Sequence, residues 1–297
     1  MLNWLLTNKL REFACTLRNA HATGQSMDSI QSVKSKMLEE VHRILTIALG
    51  DPPLKFDWTF RDKEKNYKSF KNQSPLEFYR EIVGYPLENT VSLINDPRNE
   101  MNQVYTVEYL GNVIGGRPVT YINVPIDQLK KYTIKSIKDN RPVWFGCDVS
   151  KFLHRPSGLM DMKLFDYELT FGIQLNLNKA DRLRYGESAM THAMTITGVD
   201  LEDKSTCTCS AIDVSSDCDK AKGCDCAKGG KPVKWRIENS WGEDSGDKGY
   251  LCMTDEWFDE FTYQVVIRKD ELEEDILEIM KGEAKVLPPW DPMGALA

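Results

Sequence analysis

Histidine is scarce in this chain: there are four in 297 residues, at positions 21, 42, 154 and 192. Chemistry that needs an imidazole therefore has few places to reside. Long apolar runs are lacking as well, since none approaches the roughly 18 residues that a membrane-spanning helix needs. The opening MLNWLLTNKLREF holds an apolar stretch too short for a signal core before charges interrupt it. The expectation is a cytoplasmic protein with no membrane partner. Excess positive charge is missing too: 38 Lys and Arg face 45 Asp and Glu, for a net charge of −7. No nucleic-acid partner is indicated, and a local basic surplus near the N-terminus reads as solvated surface. Cysteine is too sparse for a disulfide scaffold, at eight residues, five of which crowd into 207–226. The other three, Cys15, Cys147 and Cys252, read as reduced core thiols.

What is present is a globular composition, 41% hydrophobic and 28% charged, enough for one large or two ordinary domains. Leu6, Leu10, Phe13 and Leu17 recur at helical spacing. Ile30, Val33, Met37, Val41 and Ile44 continue the pattern up to Gly50 and Asp51-Pro52-Pro53, which predicts a helical hairpin. Phe56 to Phe60 alternates with period two and Arg61 to Lys65 supplies a polar turn, which predicts a short strand or hairpin. Ser74-Pro75-Leu76-Glu77 combines an N-cap, a proline at the first helical position and a capping-box glutamate, so a helix starts there. Val91 to Val124 has strand and loop texture, and Asp127 to Lys138 is an amphipathic helix. After Asn140 come five short β-rich runs, Val143–Val149, Thr191–Val199, Val233–Asn239, Tyr250–Met253 and Thr262–Ile267. A polar, Cys- and Lys-rich insertion separates the second and third of these. Leu272 to Met280 reads as a last acidic helix, and the proline-rich stretch from Val286 onward as an arm extended over another surface.

Of the four histidines, His21 and His42 sit in polar or helical surroundings and His154 in a loop. His192 differs because it lies in Met190-Thr191-His192-Ala193-Met194-Thr195-Ile196, a strand of small and apolar neighbours. Taken alone, such a histidine is usually a satisfied strand residue. A second feature changes this: Trp235-Arg236-Ile237-Glu238-Asn239-Ser240-Trp241-Gly242 ends a strand with an asparagine followed by an indole. In thiolate catalysis the imidazole must stay aimed at sulfur, and an amide oxygen accepting its far N–H fixes ring plane and tautomer. A nearby tryptophan shields that bond from water. His192 and Asn239 thus read as two members of a Cys-His-Asn triad, with Trp241 beside them.

The strand MTHAMTITGV, the segments WRIENSWGED and GDKGYLCMTDEWF, and the tail PPWDPMGALA resemble the papain superfamily of cysteine peptidases. The resemblance runs over nearly the whole chain except 201–232. It implies an α+β, papain-like fold represented incompletely: helical segments with a partly closed antiparallel β-barrel half. Residues 1–140 would form the mainly helical part and 141–270 the barrel half carrying His192 and Asn239, with a flexible Cys-rich insertion at 201–232. Residues 271–297 would form a C-terminal helix and arm. The resemblance further implies peptide substrates with a free N-terminus and a cage-like homohexamer, with no cofactor. The arm would lie in the cleft, where the carboxylate of Leu296 or Ala297 pairs with the substrate ammonium.

The family's nucleophile is a cysteine followed by tryptophan at a helix start, a few residues after a glutamine, and no cysteine here fits that pattern. The expectation is therefore the C-terminal portion of a cysteine aminopeptidase. The alternative is an inactive assembly or regulatory subunit. Cys147 does not substitute, because a strand position beside Asp148 raises a thiol pKa. Cys207, Cys209, Cys218, Cys224 and Cys226 could bind a soft metal ion, a third possibility, but the usual C-x-x-C knuckles are absent and the segment reads as a solvated insertion. No metal is assigned. Gly186 to Met190 lacks the closing glycine of a nucleophile elbow, and Gly111 to Arg117 lacks the Lys-Ser/Thr of a phosphate loop.

Overall fold

The helical spacing of the first fifty residues produces two antiparallel helices, α1 (Leu2–Ala22) and α2 (Met27–Leu49). The Ser26 hydroxyl caps the second by accepting from Ser29 N, and Gly50 ends it at positive φ. The computed structural model describes residues 1–111, 113–202 and 230–295. Its contacts separate two units, Met1–Tyr85 and Pro86–Ala297.

In the first unit α1 buries Phe13 and Ala20. Cys15, expected in the core, is exposed, because two residues along a helix turn a side chain about 200° away from the buried face. β1 (Phe56–Arg61) pairs antiparallel with β2 (Tyr67–Gln73). Trp58 stacks on Phe60 at 4.4 Å and meets the edge of Phe78 at 5.0 Å. The capping box is fully formed: Ser74 Oγ accepts from Glu77 N, and Glu77 Oε2 accepts from Ser74 N at 2.8 Å. It opens α3 (Pro75–Phe78), which widens into a π turn at Tyr79–Val83.

The second unit is built on one eleven-stranded sheet. Its strands are β3 (Thr90–Ile94), β4 (Gln103–Val107), β5 (Tyr121–Asn123), β6 (Val143–Cys147), β7 (Leu153–His154), β8 (Leu159–Met160), β9 (His192–Leu201), β10 (Pro232–Glu238), β11 (Tyr250–Thr254), β12 (Thr262–Arg268) and β13 (Lys285–Leu287). Their order is β13-β4-β5-β3-β12-β6-β9-β10-β11-β8-β7. Three strands come from the first 140 residues, so the division expected near residue 140 falls in space at Tyr85–Pro86. The middle run β3-β12-β6-β9-β10-β11 is antiparallel, as expected for the strands after Asn140, with β3 added from the first half. The sheet as a whole is mixed, since β3 with β5, β4 with β13 and β8 with β11 are parallel. Each parallel pair joins strands separated by an intervening element, a crossover that local alternation does not reveal.

α4 (Ile126–Lys138) lays Leu129, Tyr132 and Thr133 on the sheet. Three helices lie between recognised strands: α5 (Tyr167–Phe171), α6 (Lys179–Arg184) and α7 (Asp255–Phe261). α7 buries Trp257, Phe258 and Phe261, and Phe258 stacks on Trp235 at 4.8 Å. α8 spans Glu274–Ile279. A smaller second core gathers Ile94, Val107, Tyr121, Leu183, Met190, Tyr263 and Met293. Leu169, Phe171, Ile173, Leu175 and Leu177 are exposed along one stretch. Among the described residues no helix is long and apolar enough to cross a membrane. The cysteine cluster 207–226 lies outside the described residues.

Candidate active site

Strand register brings the chemistry together. β9 and β10 are antiparallel neighbours with Glu238 opposite Thr195, so the residue after Glu238 lies alongside the start of β9. His192 Nε2 lies 3.0 Å from Asn239 Oδ1. That oxygen also accepts from Ser240 N at 2.8 Å, which fixes the amide orientation, so Nε2 carries the proton and donates. In the neutral ring Nδ1 then holds the lone pair, and it has no hydrogen-bond partner among the described residues. An imidazole held this way can take a proton at Nδ1 and return it. The Trp241 ring lies 5.1 Å from the imidazole, tilted by 32°. Both His192 and Asn239 are half-buried, and Asn239 Nδ2 is buried without a partner.

The backbone around Asn239 is held by a glycine turn. Asn239 N donates to Gly249 O at 3.1 Å, and Gly246 N donates to Arg155 O at 3.0 Å. A Cβ at Gly246, where φ is +63°, would lie 2.1 Å from Tyr250 O, a backbone clash that no rotamer relieves. Gly246→Ala is expected to cost about 2–4 kcal/mol in urea unfolding. Gly242→Ala, with positive φ but nothing within 4 Å, is expected to cost about 1 kcal/mol. Arg155 was not singled out from sequence, yet its guanidinium stacks over the Trp241 ring at 4.3 Å. The only local cue was the polar Arg155-Pro156 step.

The cysteines fall as follows. Cys147 pairs in register with His192 on the adjacent strand, but it is fully buried. Burial, aided by the Asp148 carboxylate, pushes its thiol well above the usual range, so it is held as an inert thiol. Cys252, expected in the core, is half-buried, because its side of β11 faces away from Leu251 and Met253. Asp148 itself anchors the approach to His192. It accepts from Ser150 Oγ and Ser188 Oγ at 2.9 Å, and Ser188 in turn meets Tyr263 OH at 2.7 Å. His154 is exposed and pairs with Ser157, and His42 is exposed near Asp51.

The C-terminal arm does not simply cross a surface. β13 pairs with β4, and a 3₁₀ turn at Pro292–Gly294 then drives Met293 into the second core. Met190 N donates to Pro292 O at 3.1 Å, two residues from His192. Leu296 and Ala297 lie outside the described residues.

A mixed α+β unit with this sheet has the fold of the papain-like cysteine peptidases. The structure of PepW from Lactobacillus rhamnosis HN001 matches all of the chain with a TM-score of 0.87 at 43% identity, covering 62% of that protein. The chain belongs to the peptidase C1-like family, whose model matches residues 1–220 and 220–294. It is 47% identical to human bleomycin hydrolase over its whole length, which is 61% of that relative. It is 44% identical to aminopeptidase C of Lactococcus lactis subsp. cremoris, again over its whole length and 62% of the relative. The chain thus spans about three-fifths of the relatives it matches.

Proposed function

We propose that this chain supplies the imidazole, its orienting amide and the C-terminal arm of a cysteine aminopeptidase, and that a segment outside this sequence supplies the thiol. The observation that carries the reading is the 3.0 Å bond from His192 Nε2 to Asn239 Oδ1 beside the Trp241 indole. A thiolate facing Nδ1 would attack the first peptide carbonyl. The imidazolium would then pass its proton to the leaving amine as the C–N bond breaks and an acyl thioester forms. Water, giving a proton back to His192, would release the amino acid and restore the thiol. Trp241 would line the substrate side, and the carboxylate of Leu296 or Ala297 would bind the substrate's α-ammonium. The relatives named bleomycin hydrolase and aminopeptidase C support a peptide or related amide substrate. The exposed apolar stretch Leu169–Leu177 supports docking of a further segment. A cytoplasmic homohexamer belongs to the same reading.

The buried, raised thiol of Cys147 favours one further reading, an inactive assembly or regulatory subunit. Hydrolysis of aminoacyl arylamides, with labelling by an irreversible thiol-peptidase probe, separates the two. The chain alone is expected to be inert. Fused behind the unmatched portion of L. lactis aminopeptidase C, it should hydrolyse the arylamides and take up the probe. A folded but inactive fusion would favour the subunit reading. Turnover by the chain alone, lost on His192→Ala, would overturn the assignment of an external thiol.

A further inference from the structure

The arm is held at one place by a charged joint built from residues nearly two hundred positions apart. Arg98 Nη2 donates to both oxygens of Asp291, at 2.9 and 3.1 Å, and to Asp96 Oδ2 at 2.7 Å, while its Nε donates to Asp96 Oδ1 at 2.9 Å. Asp96 is fully buried and fixed in turn: its backbone N donates to Asn123 Oδ1, and its Oδ2 accepts from Asn99 Nδ2. Burial works against the guanidinium's charge, but the carboxylates of Asp96 and Asp291 outweigh it and hold the side chain charged. Asp291 Oδ1 also accepts from Met293 N at 2.9 Å, so one carboxylate ties the latch to the turn that buries Met293. Gly294 packs tightly, since a Cβ there would approach Val107 Cγ1 to 3.0 Å.

We propose that Arg98 and Asp291 form a latch that sets the register at which the C-terminal arm leaves the second core beside the His192 strand, and that they thereby act as positioning residues for substrate specificity. This rests on the aminopeptidase reading, in which the arm's end meets the substrate ammonium. Met293 is the plug, the Met190–Pro292 bond joins the arm to the segment that leads into the His192 strand, and Arg98, forked on Asp96, fixes the position of both through Asp291. A guanidinium suits this role because its Nε–Nη2 fork is fixed on buried Asp96 while the same Nη2 reaches Asp291, which sets orientation as well as distance.

Carboxypeptidase digestion of the chain, followed by mass spectrometry, reads the latch without any turnover. Removal of Gly294 and Met293 is expected to be slow in the wild type and about tenfold to hundredfold faster in Asp291→Asn and Arg98→Met. Arg98→Lys should recover part of the protection, because an ammonium reaches Asp291 without forming the fork on Asp96. Trypsin cleavage elsewhere and the urea midpoint should change little in Asp291→Asn, whereas Arg98→Met strands the buried Asp96 carboxylate and should lower the midpoint as well. Unaltered trimming would overturn the latch, as would an acceleration in Asp291→Asn matched by equal loosening of the whole unit. In the active fusion the same variants should raise KM for aminoacyl arylamides with kcat largely kept. Faster trimming with unchanged KM would overturn the specificity role while leaving the aminopeptidase reading intact, and an inactive fusion with a protected arm would overturn that reading, and the specificity role with it, while leaving the latch.

Discussion

His192→Ala, introduced into the active fusion, is expected to lower kcat/KM for aminoacyl arylamides by about 10³-fold or more. The loss is large because one ring serves both halves of the reaction: it removes the thiol proton and then protonates the departing amine. Asn239→Ala should cost less, about tenfold to hundredfold. The imidazole would remain on β9, but the bond from Nε2 to Oδ1 that holds its tautomer and plane would be gone. Asn239 Oδ1 also accepts from Ser240 N, so a urea midpoint measured on each variant separates lost orientation from a loosened turn. Asn239→Gln, with one methylene more, should fail to restore the rate. Activity retained in His192→Ala would remove this imidazole from the mechanism.

The second large effect is expected in stability against pH, and it comes from Lys179. This residue lies at the start of α6, buried against the sheet, with Nζ donating to Asn95 Oδ1 at 2.9 Å, Asp259 O at 2.9 Å and Thr262 O at 2.6 Å. Burial lowers its pKa to about 7, against the opposing pull of Asp259 and Asp96. An unfolded lysine keeps its proton until about pH 10.4. Between pH 7 and about 10 the unfolded chain therefore binds more protons than the native one, and stability rises with pH, by up to about 1.4 kcal/mol per unit. Below pH 7 both states are protonated and the burial penalty is constant. Above pH 10 the trend reverses. Tyr121, Tyr132 and Tyr263, pushed up to about 12 by burial, then hold protons that unfolded tyrosines release.

Urea unfolding between pH 7 and 9.5 should show this climb in the wild type and a flatter profile in Lys179→Met. The variant also strips oxygens of their donor, three when Lys179 is an ammonium and two when it is a neutral amine. At pH 9, where the wild type no longer carries the charge penalty, it should be less stable by about 2–4 kcal/mol, with a smaller deficit at pH 6.5. Parallel profiles for the two proteins would show that Lys179 does not titrate in this window.

Much of the local structure was legible because it is written in neighbouring residues. The capping box at Ser74–Glu77, the helix over Ile126–Lys138 and the strands around His192 and Asn239 each follow from patterns a few residues long. α7 was missed because its apolar residues, Trp257, Phe258 and Phe261, sit between two strands in a run too short to show a helical period. The exposure of Cys15 shows the same limit from the other side. An apolar neighbourhood in sequence becomes a buried one only when the helix turns that residue toward a partner.

Residue type and order alone determined that an imidazole at 192 and a carboxamide at 239 stand on β-runs with an indole two positions on, and that no Cys-Trp step accompanies them. Only the tertiary structure decided that β9 and β10 are neighbours in a register that closes the His192–Asn239 bond, and that Met293 plugs a second core under the Arg98–Asp291 latch. The physical reason is range. Side-chain chemistry and helix or strand period are properties of adjacent residues, whereas register, crossovers and a salt bridge spanning 193 positions arise when distant surfaces exclude water together.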